Sequence, residues 1–408
     1  MNRPELLAPA GTPQRLRVAL QYGADAVYFG GGAFSLRAGA QAFTPRDIEE
    51  GAALAHRLGK KIYCAVNVMP RNGELRELPD FLHMLEQAGV DAVIVSDLGV
   101  FSLVRQHSGL PIHVSTQANA VNYEACRMWH QLGASRVVLG RECTLEEIAE
   151  IRCNTPPELE LEAFVHGAMC ISYSGRCLLS SVLTGRDSNR GACAQPCRWK
   201  YSLVEETRPG EAMPMEEDAH GTYILNAKDL CMIEYIPQLL QAGVTSLKIE
   251  GRMKTEYYVA TVVNAYRRAI DGYLADPQGW QCPPQLLEEV GKVSHRRYYT
   301  GFYFGDQREK GQVYESSSYI REYEVVAMVD SYDPVTGWAE CTQKNRFFAG
   351  DEVEVLTWDR GSLPMRVTAM QDGEGQDIDV CPHAEMKLRL KVPFPVEKDM
   401  FIRKRRQE

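Results

Sequence analysis

Residues 1–275 are predicted to form a (β/α)8 barrel, an α/β fold of eight parallel strands in the TIM-like class, followed by a small C-terminal β-barrel domain at 321–408. Three observations carry this. The first is a recurring junction in which an amphipathic helix ends in glycine and a short β-branched run follows: Tyr22-Gly23-Ala24-Asp25-Ala26-Val27-Tyr28, Ala88-Gly89-Val90-Asp91-Ala92-Val93, Leu132-Gly133-Ala134-Ser135-Arg136-Val137 and Ala242-Gly243-Val244-Thr245-Ser246-Leu247. A helix C-terminus needs a left-handed residue there, and glycine adopts that backbone without a Cβ penalty. Second, the runs after each glycine are short and nearly continuously apolar, as expected of strands covered on both faces. Third, eight such units fit in roughly 250 residues, the usual size of this barrel.

The eight candidate strands are Leu6–Ala8, Ala26–Phe29, Lys61–Asn67, Ala92–Val95, Ile112–Ser115, Arg136–Leu139, Leu159–Val165 and Ser246–Ile249. An open doubly wound sheet would carry a Gly-rich phosphate fingerprint after its first strand. Ala8-Pro9-Ala10-Gly11-Thr12-Pro13 is not that fingerprint, so the closed barrel is preferred. Two stretches break the rhythm. A cysteine-rich insertion at about 168–222 shows no clear helix, and 276–320 reads as a Pro-bearing linker. From Glu322 onward, short alternating segments separated by turn signals read as the small β-barrel.

Composition narrows the partners. The 408-residue chain has 45% hydrophobic and 24% charged residues, an ordinary globular balance, and a formal net charge of −9. Phosphate contacts supply most non-specific nucleic-acid affinity, so any RNA partner must meet a local basic patch. No stretch approaches the ~18 apolar residues that read as a membrane span, and no secretory leader is visible. A cytoplasmic, non-membrane protein is therefore expected, and its 12 cysteines point to metal binding or catalysis before disulfides.

Four of those cysteines fall in one Gly- and polar-rich loop beyond the seventh strand: Cys170, Cys177, Cys193 and Cys197. That end of a parallel barrel is where active sites are built. Thiolates are soft ligands selecting zinc, Cu(I) or iron–sulfur clusters. Zinc ribbons usually draw each pair from a tight Cys-x₂₋₄-Cys knuckle, which Cys193 and Cys197 satisfy and Cys170 and Cys177 do not. On spacing alone the reading is a metal site, iron–sulfur ahead of zinc, with buried structural cysteines as the bland alternative. Arg176, Arg198 and Lys200 can offset the thiolate charge, and Arg176 and Arg198 also count as substrate-binding candidates.

Other candidates surround this loop. Lys248, Glu250 and Arg252 leave the eighth strand with period-two spacing and can bind a carboxylate or phosphate, or else close the barrel as a salt-bridge layer. His166, four residues before Cys170, can relay protons or bond a cluster sulfur, or be a satisfied barrel-end histidine. Asn67, Gln117 and Arg141 each end a strand and suggest a pocket wall. For RNA, the basic candidates are Arg267-Arg268, His295-Arg296-Arg297 with Tyr298, Tyr299, Phe302 and Tyr303 beside it, and Arg403-Lys404-Arg405-Arg406. The middle set can equally be an aromatic hinge between domains. A peptidase finds little support: no His-Glu-x-x-His helix and no Gly-x-Ser-x-Gly elbow occur.

The run from Glu162 to Ser180, with Glu5-Leu6-Leu7-Ala8-Pro9-Ala10-Gly11, Val114-Ser115-Thr116-Gln117, Arg190-Gly191-Ala192-Cys193 and Lys248-Ile249-Glu250-Gly251-Arg252, resembles the collagenase-like peptidases of unassigned catalytic type over essentially the whole chain. Within that family the similarity is to a branch that supports prephenate-dependent formation of 5-hydroxyuridine at the tRNA wobble position. Sister branches carry [4Fe–4S] clusters and serve oxygen-independent ubiquinone hydroxylation. The resemblance implies tRNA as partner, prephenate as co-substrate and source of the hydroxyl group, and an iron–sulfur cluster, [4Fe–4S], as cofactor. It also leaves room for an electron donor or companion subunit. Carried over by position, the cluster ligands are Cys170, Cys177 and Cys193, with Cys197 as the fourth and Cys231 as the competing candidate.

Overall fold

Eight strands close into a parallel barrel in the computed structural model, which describes residues 3–35, 43–170, 172–199, 202–204, 212–214, 228–305 and 319–406. They are β1 (Glu5–Pro9), β2 (Ala26–Gly30), β3 (Lys61–Val66), β4 (Ala92–Val95), β5 (Ile112–Val114), β6 (Arg136–Val138), β7 (Glu160–Ala168) and β8 (Ser246–Ile249). Each pairs in parallel with the next, and β8 closes the ring by pairing with both β7 and β1. Helices α1 (Pro13–Gln21), α2 (Pro45–Arg57), α3 (Leu78–Gln87), α4 (Leu98–His107), α5 (Tyr123–Leu132) and α6 (Leu145–Cys153) follow the first six strands. A short α7 (Leu179–Thr184) sits in the cysteine-bearing insertion, where no helix was expected, and α8 (Ile236–Gln241) and α9 (Glu256–Ala275) complete the ring. Local chemistry sets the helix ends: Thr44 with Asp47 and Thr144 with Glu147 form capping boxes, and Gly133 closes α5 at φ 107°.

Period-two alternation sorts the strand residues. Leu6, Val27, Ile62, Val93, Val137 and Leu161 face the helices in the main core. The opposite set fills the barrel interior, and it is lopsided. Leu7, Ala26, Tyr28, Tyr63, Ala92 and Ile94 make an apolar half on β1–β4. His113, Arg136, Glu162, Ser246 and Lys248, all buried, make a polar half on β5–β8.

β7 runs past the barrel rim. There it pairs antiparallel with a short strand, Asp229–Cys231, which in turn pairs with Tyr298–Tyr299. Asp229–Cys231 is thus a strand, and α8 begins only at Ile236. One expectation changes here: the 276–320 stretch is more than a connector, since α10 (Pro284–Gly291) packs on the barrel core through Leu286 and Val290.

The C-terminal domain is an antiparallel sheet of β9 (Tyr323–Asp333), β10 (Trp338–Gln343), β11 (Glu352–Thr357), β12 (Gly361–Arg366), β13 (Met370–Asp372), β14 (Lys387–Lys391) and β15 (Phe401–Arg405). Its order is β12-β11-β15-β9-β10-β14-β13, and among the described residues the two outer strands are not paired with each other. Two register shifts in β9 mark bulges, the usual device for bending a strand over its own core. A buried ionic cluster joins the domains. Arg403, 0% exposed, bridges Glu289 of α10 (2.7 Å) and Glu354 of β11 (2.8 Å), and it donates to the Tyr257 hydroxyl at 3.0 Å.

Candidate functional site

A cavity of about 360 Å³ opens at the C-terminal end of the barrel strands. Its floor is the top inward layer, Tyr28, Ala65, Ile94, Val138 and Phe164, and its walls come from loops after the strands. The end of β8 and the segment after it supply Lys248, Glu250 and Arg252, which all line the cavity, as period-two continuation of the strand expects. Asn67, Gln117 and Arg141 line it as well, as do Cys170, Cys177, Cys193 and Cys197.

The charged groups are held, not loose. Lys248 Nζ donates to Glu162 Oε1 at 2.6 Å and lies 4.5 Å from the centre of the Tyr28 ring. Burial pushes the Lys248 ammonium below the ordinary lysine range, opposed by the Glu162 carboxylate. Glu162 also receives Arg136 at 3.0 Å, and Arg136 continues to Glu5 at 2.5 Å. Lys248 tops a barrel-closing ionic layer and also lines the cavity. Arg252 donates to Ser35 Oγ at 2.7 Å, and Gly11 is the residue that lets it lie there, since a Cβ on Gly11 would fall 1.9 Å from the Arg252 carbonyl oxygen. Arg141 stacks its guanidinium 3.9 Å from the Phe164 ring centre and donates to the Ala168 carbonyl at 2.9 Å. Its Nε is buried without a hydrogen-bond partner among the described residues. Glu250 stands 3.7 Å from Arg141 and accepts from the Tyr28 hydroxyl at 3.5 Å. Asn67 donates to Ser115 Oγ (3.4 Å), which donates to Gln117 Oε1 (3.2 Å).

The four loop thiols share this cavity and differ from most other cysteines. Cys170 is exposed and Cys177, Cys193 and Cys197 are half-buried, whereas Cys64, Cys126, Cys143, Cys231, Cys341 and Cys381 are buried. Burial pushes the Cys126, Cys143 and Cys231 thiols up to about 12, which keeps them protonated and poor as ligands. Cys231 packs under Tyr266 and does not line the cavity, so it behaves as a core residue. At Cys193 the Gln195 amide donates to Sγ at 3.4 Å, made possible by a left-handed Gln195 (φ 58°). Such amide-to-sulfur bonds tune thiolate-held clusters. Among the described residues, no three His, Cys, Asp or Glu side chains are grouped as a metal ion requires. A tetrahedral zinc would hold neighbouring sulfurs within about 4 Å of one another, from Zn–S bonds of about 2.3 Å. The four thiols line one cavity as a soft donor set, of the kind that zinc, Cu(I) and iron–sulfur clusters take.

His166 is not brought to this site. The β7–β8 ladder shifts register so that His166 stands opposite Ile249, an outward residue, and a one-residue slip moves a side chain to the other face. Its ring lies outside the barrel among Tyr258, Tyr266 and Tyr298. There burial drives its pKa down to about 3, with His295 and Lys254 adding to the effect. Arg176 donates to Asn119 Oδ1 at 2.8 Å and is not among the residues lining the cavity. Arg198 contributes a backbone turn (Pro196–Arg198), its side chain lying outside the described residues along with Lys200. The basic RNA candidates are largely spent on ion pairs: Arg267 with Asp25 and Asp271, Arg296 with Asp229, Arg403 with Glu289 and Glu354, Lys404 with Asp351. Tyr298, Tyr299 and Tyr303 pack against the barrel core.

Glu162 went unremarked in the sequence, although a glutamate at an inward position of a barrel strand is a signal in itself. So did the anchor of the cysteine loop. Arg190 grips Glu74, in the loop after β3, through two guanidinium nitrogens, one at 3.0 Å, and also donates to the Met69 carbonyl. The Arg190 hydrogen bonds hold the Glu74 carboxyl down at about 2. Arg190→Ala is expected to raise proteolytic cleavage within 170–199 by about fivefold, a well-formed surface pair being worth up to about 1 kcal/mol. Because the Glu74 pKa is depressed in the fold, the wild-type protection should persist above about pH 4.5 and fade as pH falls towards 2.

Comparison with known proteins follows the same outline. The family model for peptidase family U32 matches residues 11–313, and the model for the peptidase family U32 C-terminal domain matches 321–403. The chain is 38% identical over 404 residues to tRNA hydroxylation protein P1 of Bacillus subtilis, covering 99% of this chain and 95% of that protein. It is 38% identical over 437 residues to tRNA hydroxylation protein P of Escherichia coli, covering 97% and 95%. A collagenase of Porphyromonas gingivalis is 31% identical over 378 residues, covering 90% of each. With both its barrel and its C-terminal sheet matched, and with the cysteine loop at the barrel mouth, this chain belongs to peptidase family U32.

Proposed function

We propose that this protein hydroxylates tRNA, converting the wobble uridine to 5-hydroxyuridine with prephenate as co-substrate and a [4Fe–4S] cluster on Cys170, Cys177, Cys193 and Cys197. The observation that carries the reading is the convergence of those four thiols with Lys248, Arg252, Arg141, Asn67 and Gln117 on one cavity. The names of the full-length relatives support the RNA substrate. When bound, the cluster would supply one-electron transfer at the cavity wall, and because placing a hydroxyl-level oxygen on uridine is a two-electron oxidation, an external redox partner has to balance it. The chain's own residues do the rest. Lys248, Arg252 and Arg141 attract and orient an anionic co-substrate. Asn67 and Gln117 can hydrogen-bond neutral oxygens or a base edge. Tyr28 and Phe164 form a dry floor that strengthens those polar contacts by excluding water.

The family's collagenase member raises hydrolysis as a rival. Among the described residues no histidine lines the cavity, so none of them offers a cysteine nucleophile the usual imidazole base. The direct test uses anaerobically purified protein. Cys170→Ala and Cys193→Ala should each abolish the visible iron–sulfur absorbance, reduce bound iron several-fold and remove 5-hydroxyuridine from tRNA in cells dependent on this chain. A soluble, cluster-free variant that still modifies tRNA normally would sink the proposal. Product formed by the isolated chain with prephenate and a reductant would separate an enzyme from a scaffold for a companion subunit.

A further inference from the structure

A second cavity, about 580 Å³, lies where the barrel meets the C-terminal sheet. Met253 forms part of its wall and part of the wall of the mouth cavity, so a polymer draped over that residue would reach both. Two kinds of chemistry meet inside. Lys254 and Arg321 have no carboxylate partner among the described residues: Lys254 Nζ donates to the Ser294 carbonyl at 3.3 Å and Arg321 Nε to Ser294 Oγ at 3.2 Å. The other two cations of the wall are neutralised, Lys344 by Glu385 at 2.8 Å and Arg406 by Glu324 at 3.5 Å. Tyr319 lies beside both cations, its ring centre 4.8 Å from Lys254 Nζ and 5.8 Å from the Arg321 guanidinium carbon, and Arg296 steadies it from 4.5 Å while donating to its hydroxyl at 3.2 Å. Tyr323 and Phe401 extend the aromatic surface beside it.

In a chain of net charge −9, two such cations beside an aromatic surface are a local anion site with a stacking platform, the pairing that single-stranded nucleic acid requires. The geometry points to this junction cavity as the binding site for an RNA nucleotide flanking the one that enters the barrel mouth. Lys254 and Arg321 take its phosphate groups, and Tyr319 and Tyr323 take its base. This rests on the tRNA reading above and adds to it a second foothold shared between the two domains. The C-terminal sheet thereby gains a part in RNA binding, since β9 begins at Tyr323 and Arg321 stands just before it.

The test uses the full-length protein and an unmodified tRNA transcript, with affinity measured across a salt series. Lys254→Gln combined with Arg321→Gln should weaken binding about tenfold at low salt and make the log–log salt slope shallower by about 1.4, two single-strand phosphate contacts at about 0.7 each. Tyr319→Leu should weaken binding about fivefold or more with the slope preserved, as loss of one stacked base does. Arg127→Gln, on the outer face of α5, serves as the control and should leave the slope unchanged. If wild-type protein binds tRNA and the double variant matches it in affinity and slope, the junction site is wrong and the hydroxylation reading stands. If the wild type binds no RNA, both fall. Should the double variant not fold, photo-cross-linking of 4-thiouridine tRNA to wild-type protein decides: a cross-linked peptide spanning Tyr319–Tyr323 supports the site, and cross-links confined to other surfaces overturn it.

Discussion

Glu162→Ala is expected to destabilise the barrel by about 3–5 kcal/mol, the range for removing one partner of a buried charge pair. Glu162 is 0% exposed and accepts from Lys248, Arg136 and Ser246 at 2.6, 3.0 and 3.3 Å. Deleting it leaves two cations close together in the barrel interior, with Glu5 and Glu160 still pairing Arg136 and nothing comparable on Lys248 among the described residues. Glu162→Gln keeps a hydrogen-bond acceptor and loses the charge, so it should cost less than the alanine. Both are measured by denaturant unfolding. The sign of the pH dependence follows from Lys248. Burial lowers its folded pKa below 10.5, so the unfolded chain binds that proton more tightly and stability rises with pH between the folded value and 10.5. Without Glu162 the folded value drops further and that window widens downward. Binding of an anionic co-substrate should therefore weaken in Glu162→Gln and recover in part as pH is lowered. A variant with wild-type stability and an unchanged pH profile would show that the interior ionic layer is incidental.

Arg403→Ala should be comparably severe, about 3–5 kcal/mol, and its effect should spread across the domain boundary. The substitution leaves Glu289 and Glu354 with Lys292 as their shared cation and removes a donor from Tyr257 and Ser362. Arg403→Met, which fills the space without supplying charge, should recover little of the loss, because the two carboxylates remain. Combining Arg403→Met with Glu289→Leu should recover more, as apolar replacement of buried ion clusters often does. Hydrogen exchange in α10 and β11 reports the loosening directly. Burial alone would raise the Glu289 carboxyl, yet Arg403 holds it below the ordinary range. That part of the stability is present above about pH 4.5 and lost as pH falls through the folded value, so wild type and Arg403→Ala should converge in acid. Persistence of the full difference at low pH would argue that packing around Arg403, not charge, does the joining.

The barrel was legible because its signals are local and repeated. A glycine that must be left-handed recurs at each junction, at φ 110° for Gly23, 83° for Gly89 and 94° for Gly243, and short apolar runs follow. The gathering of Lys248, Glu250 and Arg252 was legible for the same reason, since period two is a property of the strand itself. His166 was not. Its orientation depends on a register shift between two strands roughly 80 residues apart in sequence, and no spacing within one segment reports that. The basic clusters misled for a related reason. Arg267, Arg296 and Arg403 look like surface charge until distant carboxylates such as Asp25, Asp229 and Glu354 fold against them. Lys254 and Arg321, which have no carboxylate partner among the described residues, belong to no run at all. Cys231 illustrates the converse: its four-residue context Lys228-Asp229-Leu230-Cys231 resembles a ligand motif, and burial makes it a core residue.

The antiparallel pairing of Ala168 with Asp229 has a bearing on how this region can change over time. It clamps both ends of an excursion of roughly sixty residues to one short ladder, so the polypeptide between them is a closed loop whatever its content. Doubling such a loop costs only about 0.6 kcal/mol. Relatives can thus lengthen, shorten or replace the stretch beyond the last thiol at small thermodynamic expense, while the ladder keeps the first thiol at the same height above the barrel. That separation suits a family whose members differ in what they act upon while sharing one scaffold.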